Sequence, residues 1–444
     1  MLMRSPTGWQ RRVRLTVSAF VHDLNRWRFG GKLGAPTIER LEALPDRDDA
    51  RAFLERAAAL MQRAGMPAQD FSPFQGELFA SVASHLLPGC WGGRVPPITL
   101  VGRHVRIDQL VRKINGDTGR LLDIACGFPP FTTIDSSSAL REWDIVGVDR
   151  SLPEYFVHDQ HGNYCVYDER GEALYFQPLI PTKEGWEALL GDAESSARRL
   201  EALLAELLHR RGKDADAPLN VEHEGCTLSV HPVHDYEGPK LRFVRSDLES
   251  LVTEPADVVR CFNMLMYFDE QFRQLAMERF AVLLRDGGRL VCGTDWAWTT
   301  EARYSIYVKR HDAMVPVEFA FSLDNLTPIG IATFYTLQAD EREANMLATL
   351  CATLRADVGF RSAFVDVNDG LRAKHGLCPR LPDGYFSDVL PMENPAAMWL
   401  IAGDYSVELG EALADEACRV LARAGHDARV NEIGHVAVAT DQPA

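Results

Sequence analysis

The chain has 444 residues, of which 46% are hydrophobic and 25% are charged. This composition is typical of folded globular proteins and excludes an intrinsically disordered chain. The formal net charge is -16, with 63 acidic and 47 basic residues, so the molecule as a whole repels a phosphate backbone and no nucleic-acid partner is expected. The locally basic stretch Arg4 to Lys32 is interpreted as a solvated helix face or tip rather than an anion-binding surface.

The cysteines and the apolar runs indicate the compartment. Nine scattered cysteines do not form the regular framework of a disulfide-stapled secreted domain, which predicts reduced thiols. The segment Arg11 to Val21 has an apolar stretch broken by Thr16 and Ser18, and it is interpreted as an amphipathic helix rather than an export signal. No uninterrupted run of about 18 apolar residues occurs, so no membrane span is expected and the predicted location is the cytoplasm.

Residues 1–115 are predicted to form a helical N-terminal cap. Apolar residues recur at helical spacing from Asp49 to Gly65, and a second candidate helix runs from Gly76 to Leu87. Residues 88–97 are rich in glycine and proline and are predicted to be a loop. We therefore expect a cap here rather than a separate enzyme.

From Arg120 onward, strands alternate with helices, which is the pattern of a parallel sheet with helices on its faces. The predicted strands span residues 120–125, 143–148, 241–244, 256–260 and 289–293, with a helix at 271–284. Residues 304–309 and 317–322 alternate polar and apolar side chains, as antiparallel strands do. The sequence thus predicts an α/β fold with a doubly wound, Rossmann-like, seven-stranded sheet in residues 116–340.

Two regions lie outside this alternation. An insertion at residues 153–240 is predicted to hold strands, tight turns at His161–Asn163 and Glu169–Glu172, and a helix at residues 187–211. Residues 341–444 are predicted to form a C-terminal helix and a small α/β unit. That unit consists of a strand at 398–403, a helix at 407–424 and paired strands within 428–440.

The first two strands of the sheet end in residues suited to ligand binding. The run from Leu121 to Gly127 reads as a buried strand followed by a tight turn of small residues, which lets the backbone approach a ligand at the carboxyl end of a parallel strand. The second strand ends in Asp149. An acid about 20 residues after such a turn can accept hydrogen bonds from both hydroxyls of a ribose.

In these motifs the sequence resembles the class I S-adenosylmethionine-dependent methyltransferases. The resemblance covers roughly residues 120–295 in five ordered motifs. It implies that S-adenosylmethionine is the cofactor, that Asp149 binds its ribose and that Asp247 reads its adenine amine. The residues that the resemblance places at the cofactor are Asp123, Ala125, Cys126, Gly127, Phe128, Asp149, Arg150, Ser246, Asp247, Leu248, Phe262 and Asn263.

The stretch after the fourth strand adds a local likeness to the chemotaxis-receptor glutamate methyltransferases. Cys261-Phe262-Asn263 is similar to that family's cysteine-arginine-asparagine, and Tyr267-Phe268 to its tyrosine-phenylalanine. Phe262 stands in place of the arginine. The three glycines usual in the cofactor loop of class I methyltransferases are reduced to Ala125, Gly127 and Pro129, so the loop is expected to be stiffer.

Other interpretations of these motifs are weaker. A nicotinamide dinucleotide site needs a third glycine in the loop, which Gly127-Phe128-Pro129-Pro130 lacks. In a plain α/β domain, Asp123 and Asp149 would only cap turns. The histidines of the insertion have short spacings that metal ligands can use, but the paired-cysteine spacing of a structural zinc site is absent, so no metal is expected.

Methyl transfer from a sulfonium is an in-line displacement, in which the protein mainly aligns the reactants and excludes water. Asn263 and Tyr267 are the positional candidates for orienting the acceptor, and His158 or His161 could supply a base from the insertion. The predicted acceptor is a small molecule or peptide. A protein carboxyl methyltransferase and a non-catalytic, cofactor-binding partner protein are the alternatives, and a homo-oligomer is left open.

Overall fold

The fold is described from a computed structural model. The described residues are 17–42, 48–71, 99–127, 129–177, 193–212, 218–327, 338, 340–386 and 395–440. The helix predicted at 76–87, the loop at 88–97, the first part of the helix predicted at 187–211 and the predicted cofactor contact Phe128 lie outside them.

The strands and helices are numbered along the described chain. The strands are β1 (Gly119–Ile124), β2 (Trp143–Asp149), β3 (Pro153–His158), β4 (Tyr164–Asp168), β5 (Ala173–Gln177), β6 (Asn220–His223), β7 (Cys226–Val230), β8 (Leu241–Arg245), β9 (Ala256–Phe262), β10 (Leu284–Thr294), β11 (Arg303–Arg310), β12 (Ala313–Phe321), β13 (Ala428–Val430) and β14 (Val436–Ala439). The helices are α1 (Val17–Arg28), α2 (Ala35–Glu42), α3 (Asp48–Arg63), α4 (Val105–Asn115), α5 (Phe131–Ala139), α6 (Ala193–Arg211), α7 (Glu270–Leu283), α8 (Arg342–Ala356), α9 (Val358–His375) and α10 (Pro395–Arg423).

The central sheet has nine strands in the order β13-β14-β12-β11-β10-β9-β1-β2-β8. The five strands from β10 to β8 in this order are parallel, and β11 and β12 continue the sheet as antiparallel neighbours. Side chains of α4 share one buried cluster with this sheet, and side chains of α7 share another on the opposite face. The predicted doubly wound α/β fold is confirmed.

The C-terminal strands correct the expected strand count. β14 pairs antiparallel with β12, and β13 pairs with β14, so the strand pair extends the central sheet from seven strands to nine. The strand predicted at 398–403 is wrong, because these residues belong to α10. Ala402, Tyr405, Leu409 and Leu413 are buried at helical spacing along α10, and this longer periodicity decides the structure of the short apolar run.

The insertion folds into a second, five-stranded antiparallel sheet in the order β5-β4-β3-β7-β6. The predicted turns join β3 to β4 and β4 to β5. In both turns an aspartate, Asp159 or Asp168, accepts hydrogen bonds from backbone N–H groups two and four residues later. Helix α6 packs its leucines Leu200, Leu204 and Leu207 against this sheet.

The N-terminal and C-terminal helices share one core. A single cluster of buried side chains joins α1, α2 and α3 to α8, α9 and α10, and it includes Phe319 and Phe321 of β12 and Val436 of β14. The domain boundaries at 115/116 and 340/341 remain a prediction. Among the helices of the described residues, none is both long enough and apolar enough to cross a membrane.

A fully buried arginine lies at the centre of the parallel sheet. Arg260 of β9 stands opposite Asp123 of β1 in the strand register. Its Nε and Nη2 donate to the two carboxylate oxygens of Asp123 at 3.0 and 2.6 Å. Its Nη1 donates to Asp108 of α4 at 2.6 Å and to Ser136 of α5 at 2.7 Å. One guanidinium therefore ties two adjacent strands to the two helices that cover them.

The pKa values of the two carboxyl groups in this cluster are shifted in opposite directions. Hydrogen bonds and attraction from Arg260, with a hydrogen bond from Thr133, hold the pKa of Asp123 below its usual range despite desolvation. At Asp108 desolvation outweighs the attraction of Arg260 and raises the pKa to about 6. The arginine thus has one strong and one weak carboxylate partner.

We expect Arg260→Met to lower the free energy of unfolding by about 3–5 kcal/mol, because it leaves buried carboxylates without a counter-charge. Urea denaturation at neutral pH measures the change. Arg112→Met is the matched control, since Arg112 and its partner Asp117 are 62% and 78% exposed, and exposed pairs contribute about 0–1 kcal/mol. Equal losses in the two variants would contradict the central role of Arg260.

A second prediction concerns pH. Because the folded-state pKa of Asp108 is raised to about 6 above an unfolded value of about 3.9, its contribution to stability is fully present below pH 4 and is lost as the pH rises to 6. Denaturation of the wild type and of Asp108→Asn should show the wild type losing up to about 3 kcal/mol relative to the variant over this range. A constant difference between the two curves would contradict the shifted pKa.

Candidate active site

The parallel strands bring the predicted site residues to one edge of the central sheet. β8, β2, β1, β9 and β10 lie side by side, and their carboxyl ends meet at this edge. Ligands of open α/β sheets bind outside the carboxyl ends of the strands. We call the loop after β1 and the acids after β2 and β8 the cofactor side, because the sequence predicts the cofactor there. The residues after β9 and β10, where the sequence predicts the acceptor, are called the acceptor side.

Asp149 holds the loop of the cofactor side. Its Oδ2 accepts a hydrogen bond from the N–H of Gly127 at 3.0 Å, and its Oδ1 accepts one from Ser151 at 3.0 Å. Burial raises the pKa of Asp149, while these backbone hydrogen bonds act in the opposite direction. A carboxylate has further lone pairs available, so the same group can fix the loop and receive hydroxyls of a ribose.

The loop itself has an unusual backbone. Ala125 has φ of 59° and Gly127 has φ of 67°, a left-handed conformation that costs an alanine energy but a glycine little. Cys126 lies between them, is buried, and donates its N–H to Val148 at 3.2 Å. The turn is therefore tight despite the missing glycine, and it keeps its backbone close to the strand ends.

The predicted adenine end lies after β8. Asp247 is exposed and accepts hydrogen bonds from the N–H and hydroxyl of Ser250 at 2.7 and 2.6 Å, which hold its pKa below the usual range. The N–H of Ser246 donates to the carbonyl of Asp149 at 2.9 Å and so joins the two turns. Leu248 is buried, whereas Arg150 is exposed beside Asp149.

Asp123 occupies a different position from the other predicted cofactor residues. Its carboxylate oxygens accept from Arg260 and Thr133 inside the core, and the residue is only 3% exposed. We therefore expect Asp123 to fix the end of β1 rather than to contact a ligand.

On the acceptor side, Asn263 and Asp295 follow β9 and β10 and bond to each other reciprocally. The amide of Asn263 donates to Oδ1 of Asp295 at 3.1 Å, and the N–H of Asp295 donates to the side-chain oxygen of Asn263 at 3.1 Å. The other oxygen of Asp295 lies 2.8 Å from Nδ1 of His104. Asn263 itself has φ of 55°, and its N–H bonds to the carbonyl of Gly293.

Two aromatic side chains, Phe262 and Tyr304, and the cation Arg103 lie near these polar groups. The buried ring of Phe262 lies 5.1 Å from the imidazole of His104 and 6.1 Å from the ring of Tyr304, between centroids. Tyr267 is half-buried in a short 3-10 helix after β9. Burial lowers the pKa of Arg103, partly offset by the nearby Asp295 and Tyr267. The predicted Phe262, Asn263 and Tyr267 thus lie near one another.

The loop that follows Asp295 is strained. Trp298, Thr299 and Glu301 have φ of 58°, 55° and 46°, and such conformations in residues other than glycine persist only where the surroundings impose them. The N–H and hydroxyl of Thr299 both donate to the carbonyl of Arg103, at 2.7 and 2.8 Å. The N–H of Glu301 donates to buried Asp324 at 2.7 Å. The bonds of Thr299 hold the loop against the residues that precede α4, and the bond of Glu301 ties it to the segment after β12.

His158 lies elsewhere, on β3 of the insertion sheet. Its Nδ1 is 3.4 Å from the hydroxyl of Thr227, and its ring lies 5.4 Å from that of Tyr164. Burial lowers its pKa. Its partners belong to the insertion, and the contacts described for it give no support to a role beside Asn263.

Among the described residues, no group of three or more His, Cys, Asp or Glu side chains is arranged to hold a metal ion.

Sequence reasoning missed His104, Asp295 and Arg260. A charged residue within the buried run Val258 to Phe262 must be paired, so Arg260 gave a signal that could have been used. Asp295 directly follows a predicted strand at the ligand-binding edge, which is a weaker signal. His104 gave none, because it lies 191 residues from its partner.

The sequence and the structure were compared with known proteins. Residues 233–309 match the family described as CheR methyltransferase, SAM binding domain. This match extends from the end of the insertion through β8, β9 and β10 into β11, and it includes Asp247, Asn263 and Asp295. No curated protein matches the sequence significantly.

Several solved structures show a distant likeness. CalO1, a methyltransferase in calicheamicin biosynthesis in its SAH-bound form, is 13% identical at a TM-score of 0.20, over 42% of this chain and 35% of that chain. NodS, an N-methyltransferase from Bradyrhizobium japonicum, is 14% identical at 0.19, over 43% and 60%. Coclaurine N-methyltransferase is 9% identical at 0.26, over 95% and 99%. The chain thus spans about a third of CalO1 and three fifths of NodS, and likeness at this level supports no inference about substrate.

The strand order is that of a doubly wound α/β domain, with acids at the strand ends where ligands of such sheets bind. From the end of the insertion to β11 it is similar to the CheR methyltransferases.

We expect Asp149→Ala to weaken binding of S-adenosylhomocysteine roughly 10- to 100-fold, because hydrogen bonds to a charged group contribute about 1.5–3 kcal/mol. Isothermal titration calorimetry measures the affinity. Asp144→Ala is the control on the same strand, since Asp144 lies at the opposite end of β2 and pairs with Arg120. Unchanged affinity in Asp149→Ala would refute the placement of the cofactor.

Proposed function

We propose that the protein transfers a methyl group from S-adenosylmethionine to a small molecule or peptide, with Asp149 and Asp247 at the ribose and adenine of the cofactor. The hydrogen-bonded pair of Asn263 and Asp295, next to the cofactor side on the same sheet edge, is the observation that carries this proposal. It provides fixed polar groups where an acceptor would meet the methyl.

S-adenosylmethionine supplies a methyl group already activated on a sulfonium, so the protein needs mainly to align the acceptor and exclude water. Asn263 is fixed by its bonds to Gly293 and Asp295, and it can therefore hold an acceptor at a set distance. Phe262 and the loop around Trp298 provide apolar surface beside it. Tyr267 and Arg103 supply further polar groups on the same side.

The loop around Trp298, beside the acceptor side, is tightly packed, which favours a small acceptor. Trp298 packs against α10, where a side chain at Gly403 would meet its Cβ at 3.1 Å, and the ring of Trp298 covers Gly102 so closely that a Cβ there would overlap it. Neither glycine leaves space for a larger residue.

The strongly acidic chain also disfavours nucleic acid as acceptor. The cysteines among the described residues are free thiols, which supports a reducing compartment such as the cytoplasm.

A protein carboxyl methyltransferase is the second candidate, because the family match is to CheR. Phe262 argues against it, since a buried phenylalanine occupies the place of that family's arginine. A non-catalytic partner protein is less well supported, because its acceptor side would have no need of the ordered polar pair.

The test uses the full chain with tritium-labelled S-adenosylmethionine and a cell extract as the source of acceptors. We expect release of S-adenosylhomocysteine matched by label in an acceptor, and a decrease of both in Asp149→Ala at subsaturating S-adenosylmethionine, with Asp144→Ala as control. Binding of S-adenosylhomocysteine without any transfer would instead support the non-catalytic partner protein.

A further inference from the structure

His104, at the start of α4, is a buried polar group on the acceptor side. Its Nδ1 lies 2.8 Å from Oδ2 of Asp295, and the two side chains are 8% and 0% exposed. Because a carboxylate only accepts hydrogen bonds, Nδ1 carries the hydrogen and donates it to Asp295. In the neutral ring, Nε2 then has a free lone pair that can accept a proton.

Asp295 is itself held from two directions. One oxygen accepts from His104 and the other from Asn263, while its N–H donates back to Asn263. Asn263 and Asp295 directly follow neighbouring parallel strands, so neither can move without disturbing the sheet edge. The carboxylate therefore fixes both the orientation and the tautomer of the imidazole, as the third group of a nucleophile, base and orienting acid does.

Four further charged groups surround this pair, namely Arg103, Asp108, Asp123 and Arg260. Arg103 acts on Asp295, and both aspartates act on His104. Among the described residues, Arg260 is the cation paired to both aspartates. With Asp295, three carboxyl groups and two guanidinium groups thus lie around the imidazole.

We propose that His104 is the general base of the methyl transfer, that Asp295 is its positioning residue, and that the acceptor is a hydroxyl or an amine. The inference rests on the proposed function. A lone pair of the acceptor oxygen or nitrogen forms the bond to the methyl carbon, and the carbon–sulfur bond breaks with its electron pair left on sulfur. The proton of the acceptor passes to Nε2 of His104 and later to water.

This assignment separates the two candidate functions. A carboxylate acceptor carries no proton at neutral pH, so its methylation has no need of a base. A hydroxyl or an ammonium group must lose a proton during or before transfer. A buried imidazole oriented by a carboxylate is therefore useful to the second class of acceptor only.

The first experiment identifies the chemical class of the acceptor. The full chain is incubated with tritium-labelled S-adenosylmethionine and cell extract, and the products are treated with base. Methyl esters release labelled methanol, whereas N-methyl groups and methyl ethers keep their label. We expect the label to be stable. Release as methanol would overturn this inference but leave the methyltransferase function in place, and label in no product would overturn both.

The second experiment separates a base from a structural residue. In His104→Asn the amide can still donate to Asp295 in place of Nδ1, but nothing replaces Nε2. With the labelled acceptor fraction, we expect kcat to fall about 100-fold or more with little change in KM for S-adenosylmethionine. The dependence of the wild-type rate on pH should also change, because Nε2 is no longer available to accept the proton.

His311→Asn is the matched control, because His311 is exposed at the turn between β11 and β12 with φ of 58°, which asparagine tolerates. It should keep the wild-type rate and pH profile. Circular dichroism and S-adenosylhomocysteine affinity verify that His104→Asn is folded. A wild-type rate and pH profile in folded His104→Asn would show that only the hydrogen bond to Asp295 matters and would overturn the role of base.

Discussion

The pairing of Arg260 with Asp123 and Asp108 is the interaction on which the rest of the structure depends. It places a full positive charge where the two central strands and their covering helices meet, and a buried charge is tolerated only when it is paired and hydrogen-bonded. The register of β1 against β9 is thereby fixed, because a shift by one residue would separate Arg260 from Asp123. The loop of the cofactor side follows β1 in the chain, and Asn263 of the acceptor side follows β9.

Both sides of the site contain strained backbone. On the cofactor side, Ala125 adopts a left-handed conformation beside Gly127, and Asp149 holds the turn through backbone N–H groups. On the acceptor side, Asn263 and three residues of the loop after Asp295 do the same. Such conformations are maintained by the surrounding hydrogen bonds, so the fold itself positions both turns of the candidate active site.

The sequence was sufficient for most of the parallel sheet, because β1, β2, β8 and β9 are short runs with buried apolar residues that begin and end within two residues of their predicted bounds. It was insufficient for residues 398–403, since a short apolar run does not distinguish strand from helix. The addition of β14 to β12 and the contact of His104 with Asp295 depend on tertiary packing across more than a hundred residues. Residue spacing within one sequence contains no information about such contacts.

The pairing of β14 with β12 affects the speed of folding. Glu318 of β12 stands opposite Ala439 of β14, and the cluster that includes Val436 also contains side chains of α1 and α3. Contacts between residues so distant in sequence form only after a long loop of chain has closed, and the entropy cost of closing it slows folding. The N-terminal helices therefore complete their core only when the last strand is in place. We expect a slow, cooperative final step in which both ends of the chain become ordered together.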